Sequence, residues 1–368
     1  MNIVIIGNGI TGITCARNVR KLDSNASITV ISGETEHFFS RTALMYIYMG
    51  HMKFEHTKPY EDWFWEKNRI NLIRANVNTL NSEDKTLHFD NGESIAYDKL
   101  IIACGSIPNK FGWPGENLHG VQGLYSIQDL EQMERNTKNI SSAVIVGGGL
   151  IGIEMAEMLH SRKIEVKMLV RENFYWSNVL PREEAQLIGK HISGHGINLH
   201  FNTELKEIIS DDQNRVKGVL TNKGEQFECQ FVGRTAGVKP NIGFLEKHEL
   251  ETERGILVNE YFETNIPDIY AAGDCAQFRN PKPGEPAVEQ LWYTGKMQAE
   301  TLSRTICGDK YAYNRGIWFN SAKFFDLEYQ TYGQVLPDIN DQQKSFYWEH
   351  PNGKHAFRAN YGSKDESI

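Results

Sequence analysis

A short apolar run that feeds directly into a glycine-rich turn and then a helix occurs twice in this chain, and that repetition constrains the fold more than any other feature. Asn2–Ile6 leads into Gly7-Asn8-Gly9-Ile10-Thr11-Gly12, a helix-like segment Ile10–Lys21, and a second run, Ile28–Ile31. Ala143–Val146 leads in the same way into Gly147-Gly148-Gly149-Leu150-Ile151-Gly152, then Leu150–Ser161 and Val166–Val170. Glycines at such a junction permit the tight turn, close approach of the backbone to a pyrophosphate, and close helix packing; the helix N-terminus adds free N–H groups and positive dipole. One glycine turn with no ligand would have a bland explanation. Two strand–turn–helix–strand units in one chain point to two bound dinucleotides.

The expected fold class is therefore α/β, with two Rossmann-like three-layer dinucleotide-binding domains and a small α+β C-terminal domain. Pro108–Pro114 and Gly237–Asn241 read as domain boundaries. Thr86–Asp90 and Glu93–Ala96 read as a hairpin around Asn91-Gly92, and Val216–Leu220 and Gln226–Phe231 as another around residues 222–224. Leu100–Ala103 reads as a buried strand. After about Arg304 the chain turns aromatic and strand-like, from Trp318-Phe319 to Phe346-Tyr347-Trp348, and Ser363–Ile368 reads as a frayed tail.

The 368 residues carry 39 Lys+Arg against 47 Asp+Glu, a formal charge of -8, which argues against a nucleic-acid partner. The five cysteines, Cys15, Cys104, Cys229, Cys275 and Cys307, show no redox-motif or metal-ligand spacing, which suits a reducing cytoplasm. The N-terminus lacks a basic region and breaks at glycines, and no stretch approaches the ~20 apolar residues of a membrane span, so neither export nor membrane insertion is expected.

At the end of the first unit's second strand, Glu34 is the candidate ribose acceptor, a solvated turn residue being the alternative. In the second unit Val170 stands where a carboxylate for the ribose 2'-OH is expected, and Arg171 follows. A guanidinium in place of an acid suits a 2'-phosphate; the next residue, Glu172, opposes it, so the preference for NADPH over NADH is slight. Asp268–Ala276 is a small-residue strand ending in Gly273-Asp274, whose carboxylate either accepts a ligand hydroxyl or caps a helix. His191, His195 and His200 read as having no metal-ligand spacing, and no metal is expected.

Together the Gly7 turn, Tyr97–Pro108, the Gly147 turn through Glu154, Ala236–Asn241 and Tyr270–Cys275 resemble the pyridine nucleotide-disulfide oxidoreductase superfamily, in the family's order and over nearly the whole chain. The resemblance implies a glutathione reductase-like arrangement: an FAD domain in two pieces, residues 1–112 and 240–303, an NAD(P) domain, 113–239, and a C-terminal interface domain, 304–368. It implies that Gly7, Gly9 and Gly12, with Ile10 and Thr11, hold the FAD pyrophosphate, and that Gly273 and Asp274 bind the ribityl chain. Ala103, Gly105 and Gly237 are further cofactor-binding candidates, and Gly105 and Pro108 belong to the connection between the domains. Gly147, Gly149, Leu150, Ile151 and Gly152 correspond to the nicotinamide-nucleotide turn. A helix over Glu289–Thr301 is expected to face the flavin, with Glu289 and Gln290 as its nearest side chains.

The departures from the family pattern are informative. Disulfide reductases place a CxxxxC on the helix after the first unit, but here His37–Leu44 contains no thiol, and no cysteine lies between Cys15 and Cys104. Ser40-Arg41 stands there instead, as in the branch of rubredoxin, putidaredoxin and ferredoxin reductases and the flavin portion of nitrite reductase. That branch implies Arg41 and Glu154 as a pair beside the flavin, catalytic or merely a structural salt bridge. Trp318 matches an aromatic flavin neighbour or is core. The expected function is hydride transfer from NAD(P)H to FAD, then electron transfer to an external acceptor such as rubredoxin or ferredoxin, by a monomer or homodimer. The alternatives are reduction of quinone, oxygen or small acceptors, and a redox-sensing flavoprotein that controls a partner. Residues 1–112 and 304–368 are each charge-balanced, so the acidic excess sits in 113–303 and does not oppose docking of an acidic carrier.

Overall fold

A computed structural model describes residues 1–246, 248–333, 335–338 and 343–362; the expected frayed tail lies outside the described residues. The chain divides into two compact units. The first is Met1–Ile107, Tyr125–Gln128 and Val238–Arg315; the second is Pro108–Leu124, Asp129–Gly237 and the chain from Gly316.

The first unit is built on a five-stranded parallel sheet in the order Ile269–Ala271, Lys99–Ile102, Asn2–Ile6, Ser27–Ile31, Ile70–Ile73. Its central strands are unbroken β-branched runs because both faces are covered; Ile3, Val4, Ile5 and Ile101 are all fully buried. Each such side chain contributes roughly 1.5–3 kcal/mol by leaving water. Helix Ile10–Leu22 packs on helix Trp292–Ile306. The contact is close because Gly295 has no side chain: a Cβ there would lie 2.7 Å from Thr11 Oγ1. The hairpin expected around Asn91-Gly92 forms between Thr86–Phe89 and Ser94–Ala96, with Gly92 at φ +85°.

The second unit repeats the design, with parallel strands in the order Asn198–Phe201, Glu165–Val170, Ser142–Val146, Phe231–Arg234, Val121–Gln122. The second expected hairpin is shorter than its apolar pattern suggests. Val216–Thr221 pairs with Gln226–Glu228, and Phe231 leaves to run beside Ala143 in the parallel sheet, where all four residues Phe231–Arg234 are buried. The aromatic C-terminal segment forms two hairpins, Phe319–Phe324 with Leu327–Tyr332 and Gln343–Glu349 with Ala356–Gly362. From Gly316 it clusters with the second unit. Phe324, fully buried, meets Trp176 edge-on at 4.9 Å, and Arg358 pairs with Glu183 and Glu184. Among the described residues no helix is long and apolar enough to cross a membrane.

Candidate functional site

In the first unit, strand Asn2–Ile6 ends in a turn whose glycines do separate jobs. Gly7 has φ +109°, and a Cβ on it would lie 2.1 Å from the Ala103 carbonyl oxygen, at the end of the neighbouring strand. A Cβ on Gly12 would lie 1.9 Å from Gly7's own carbonyl oxygen, so the helix can approach the turn only without a side chain there. A Cβ on Gly9 would meet nothing within 4 Å. The helix that starts after Gly9 has no side-chain cap and no acidic residue in its first turn, so its N–H groups stay available to an anion. Asn8 is fixed from the side by donating to the Thr35 carbonyl at 2.8 Å. These features fit a diphosphate of FAD. Gly273, at φ +76°, packs on Thr11, where a Cβ would lie 2.5 Å from Oγ1.

Beyond the turn the structure assembles a connected polar chain that the sequence did not show. Arg41 donates from both Nη atoms to the two Glu34 oxygens, at 2.8 and 2.6 Å. Glu34 also accepts from the Ile127 backbone N–H at 2.9 Å. The partner inferred for Arg41 from sequence was Glu154, which belongs to the second unit; within the first unit the guanidinium goes to Glu34, whose carboxylate is thereby engaged by three donors. Burial disfavours the Arg41 charge, but the Glu34 hydrogen bonds and charge outweigh it and raise its pKa. The guanidinium lies 4.5 Å over the Tyr125 ring. Tyr125 Oη donates to Asp274 Oδ2 at 3.2 Å, as does Ser106 Oγ at 3.2 Å, and Gln290 Nε2 donates to Ser106 Oγ at 2.9 Å. Burial raises the Asp274 pKa against the opposing pull of Ser106, Tyr125 and Arg41.

Asp274 sits inside a single 3-10 turn, Gly273–Cys275, and its carboxylate is turned to side chains from other elements, Ser106 and Tyr125. Ser106 and Tyr125 escaped the sequence reading. Ser106 lies within the segment Tyr97–Pro108 with no signal of its own, and Tyr125 comes from a four-residue return of the chain to the first unit, which leaves no local signal.

The expected helix over Glu289–Thr301 begins at Trp292, after an extended Leu291. Glu289 and Gln290 therefore precede it. Glu289 is buried, and its carboxylate accepts from Gln298 Nε2 and Tyr313 Oη, both at 2.9 Å, and from Arg315 Nη1 at 3.4 Å. Gln298 Oε1 in turn accepts from the Gly273 N–H at 2.7 Å. Glu289 thus braces the loop that carries Asp274.

The second unit's turn follows the same plan. Gly147 has φ +111°, and a Cβ on it would lie 2.9 Å from the Thr235 carbonyl oxygen; one on Gly152 would lie 2.3 Å from the Gly147 oxygen. Helix Leu150–Ser161 begins after Gly149 with no side-chain cap and no acid in its first turn, which fits a second dinucleotide. Val170 is buried. The Arg171 side chain is 72% exposed and lies 3.2 Å from Glu172. Glu154 is half-buried on that helix, its pKa pushed up to about 7 by desolvation and by the charge of Glu157. Gly237, at φ +89°, accepts at its carbonyl from the Asn109 N–H. Trp318 belongs to this unit, where its carbonyl accepts from the Gly333 N–H.

All five cysteines are free thiols. Cys104 and Cys275 are neighbours, and the Cys104 thiol is held well above its ordinary pKa by its hydrogen bond with Cys275 and by burial, which makes it a poor nucleophile.

The family description "Pyridine nucleotide-disulphide oxidoreductase" matches residues 1–299. Nitrite reductase [NAD(P)H] of Bacillus subtilis (strain 168) is 29% identical over 309 residues, covering 83% of this chain and 37% of that protein. NADH-rubredoxin oxidoreductase of Clostridium acetobutylicum is 29% identical over 313 residues, covering 85% and 76%. Thus the chain spans little over a third of the first relative and about three quarters of the second. A ferredoxin reductase structure from Rhodopseudomonas palustris superposes with a TM-score of 0.89 at 23% identity, covering 98% of this chain and 88% of that one, which shows the shared fold. With both glycine cradles in place and four fifths of its length matched, the chain belongs to the pyridine nucleotide-disulphide oxidoreductase family, as an oxidoreductase whose cofactors are FAD and NAD(P)H.

Proposed function

We propose that the protein takes reducing equivalents from NAD(P)H onto FAD and hands them to a small electron-carrier protein of the rubredoxin or ferredoxin kind, without a redox disulfide. The observation that carries this reading is the segment His37–Leu44: where the resemblance places the redox cysteines, Arg41 stands, clamped by Glu34. Relatives named as rubredoxin, rhodocoxin and ferredoxin reductases support the class of acceptor.

The FAD domain is assigned to residues 1–112 and 240–303, the NAD(P) domain to 113–239 and an interface domain to 304–368. When bound, FAD supplies the coupling of two-electron to one-electron chemistry that side chains lack. The residues of this chain bind and orient. Gly7, Gly9 and Gly12 with the uncapped helix start hold a diphosphate. Asp274, steadied by Ser106 and Tyr125, accepts from ligand hydroxyls. Arg41 contributes a fixed positive charge whose direction Glu34 sets. In the second unit Gly147, Gly149 and Gly152 hold the nicotinamide nucleotide, Val170 and Arg171 read its ribose, and Glu154 holds or releases a proton near neutrality. Trp318 is assigned as an aromatic neighbour of the flavin, and the cytoplasm as the compartment.

An anaerobic titration with NADH and NADPH, followed by a screen of rubredoxin, ferredoxin, quinone and oxygen, tests the proposal. An iron-sulfur or rubredoxin-type carrier is expected to reoxidise the enzyme at least tenfold faster than oxygen. Turnover with quinone or oxygen alone would replace the carrier with a small-molecule acceptor.

A further inference from the structure

A cluster in the second unit has no part in dinucleotide binding. His191 and His195 stand four residues apart at the end of helix Arg182–Gly194, so both rings leave the same face. That spacing does serve as a ligand pair once a third group arrives from elsewhere, which the sequence alone did not show. The third group is Asp326, in the tight turn of hairpin Phe319–Tyr332. Its Oδ1 lies 2.8 Å from His191 Nε2 and 3.0 Å from His195 Nε2, and the three atoms lie within 4.8 Å of one another.

The proton inventory of the two rings makes this convergence unusual. His195 Nδ1 is 2.9 Å from the His191 carbonyl oxygen, which can only accept, so Nδ1 carries the proton. In the neutral ring Nε2 then turns a lone pair towards a carboxylate oxygen, a repulsive contact. His191 Nε2 is buried and lies 2.8 Å from Asp326 Oδ1. Two ring nitrogens and a carboxylate oxygen facing a common point are satisfied together by a cation between them.

We propose that His191 Nε2, His195 Nε2 and Asp326 Oδ1 form a site for a divalent transition-metal ion of the zinc class, which ties the C-terminal hairpin to helix Arg182–Gly194. Zinc bonds to nitrogen and carboxylate oxygen of about 2.0–2.2 Å in a tetrahedron place ligand atoms roughly 3.3–3.5 Å apart; the two histidine–carboxylate pairs, at 2.8 and 3.0 Å, would spread towards that distance and the two ring nitrogens, within 4.8 Å, would settle to it. Two imidazoles and one carboxylate favour zinc, cobalt or nickel over calcium or magnesium. The His195 Nδ1–H bond to a backbone carbonyl is the kind of outer contact that fixes a ligating tautomer. His195 is also braced by stacking on Phe325 at 4.4 Å. The Asp326 side chain is 63% exposed, which leaves a path for the ion and for a water as fourth ligand.

The full-length FAD-loaded protein, stripped with chelator and dialysed against Zn²⁺, is assayed by metal analysis and thermal unfolding. About one tightly held zinc per chain and a Tm that rises with zinc and falls again with chelator are expected. His195→Gln and Asp326→Asn, made separately so that one remains informative if the other misfolds, should each weaken zinc binding at least tenfold at unchanged FAD content. Co²⁺ should give visible d–d absorption without thiolate charge-transfer bands, separating this site from the cysteines. Absence of zinc binding, or equal binding in wild type and both variants, overturns the site.

Discussion

The two glycine turns are nearly the same object, yet their surroundings differ. In both, the first glycine abuts the carbonyl at the end of a neighbouring strand, Ala103 or Thr235, and the third abuts the first. Past the turn, the first unit closes into a partly buried chain running Glu34, Arg41, Tyr125, Asp274, Ser106, Gln290. The second unit ends its strand in an exposed arginine beside a glutamate. A satisfied buried network rigidifies and specifies one geometry, whereas exposed charges add little rigidity and exchange partners readily. On the proposed function, this difference predicts that the first cradle keeps its dinucleotide and the second lets one come and go.

The sharpest way to break that contrast is to fill the turns. Gly12→Ala puts a Cβ 1.9 Å from backbone and should abolish FAD retention, read as loss of flavin absorbance in the purified protein. Gly152→Ala, with its Cβ 2.3 Å from backbone, should leave FAD bound and weaken NAD(P)H binding at least tenfold, read by anaerobic titration. Equal effects of both on FAD content would erase the distinction.

Next in size is Arg41→Ala, which leaves the partly buried Glu34 carboxylate without its cation. It should cost about 2 kcal/mol of stability and slow flavin reduction while FAD stays bound, as seen by chemical denaturation and stopped-flow absorbance. An unchanged reduction rate would confine the pair to bracing.

Glu154 sharpens the picture through pH. Its folded-state pKa is raised to about 7 from 4.5, so the stability tied to its neutral form is complete below pH 4.5 and is lost as pH rises through 7. Glu154→Gln should therefore raise Tm by a few degrees at pH 8 and leave it unchanged at pH 4.5. The rate of flavin reduction should rise with pH around 7 in the wild type and become flat in the variant. The smallest effect is expected from Arg171→Leu, roughly threefold to tenfold weaker NADPH binding with NADH hardly changed, since the side chain is exposed and already faces Glu172.

The parts that sequence revealed are those whose chemistry is local. The glycine turns, the parallel strands that flank them and the Asn91-Gly92 hairpin each depend on a few consecutive residues. What escaped it depends on distant segments meeting. Phe231 reads as the end of a hairpin strand but joins the parallel sheet, because burial on both faces outweighs its local pattern. Within the first unit Arg41 pairs with Glu34, seven residues away along an irregular loop, and Tyr125 returns to that unit from beyond the boundary at Pro108. Glu289 accepts from Gln298, Tyr313 and Arg315, residues 9 to 26 positions further along, which no local pattern announces. The His191, His195 and Asp326 cluster was hidden for the same reason: its carboxylate comes from a hairpin 131 residues further along than His195.

The neighbouring thiols Cys104 and Cys275 give the sulfur-free route its hardest test, because they lie beside Asp274 in the first unit. Anaerobic reductive titration counts the electrons directly. If sulfur takes no part, one two-electron equivalent per FAD bleaches the flavin completely, before and after thiol alkylation. Uptake of a second two-electron equivalent, lost when Cys104 and Cys275 are replaced by alanine, would contradict it.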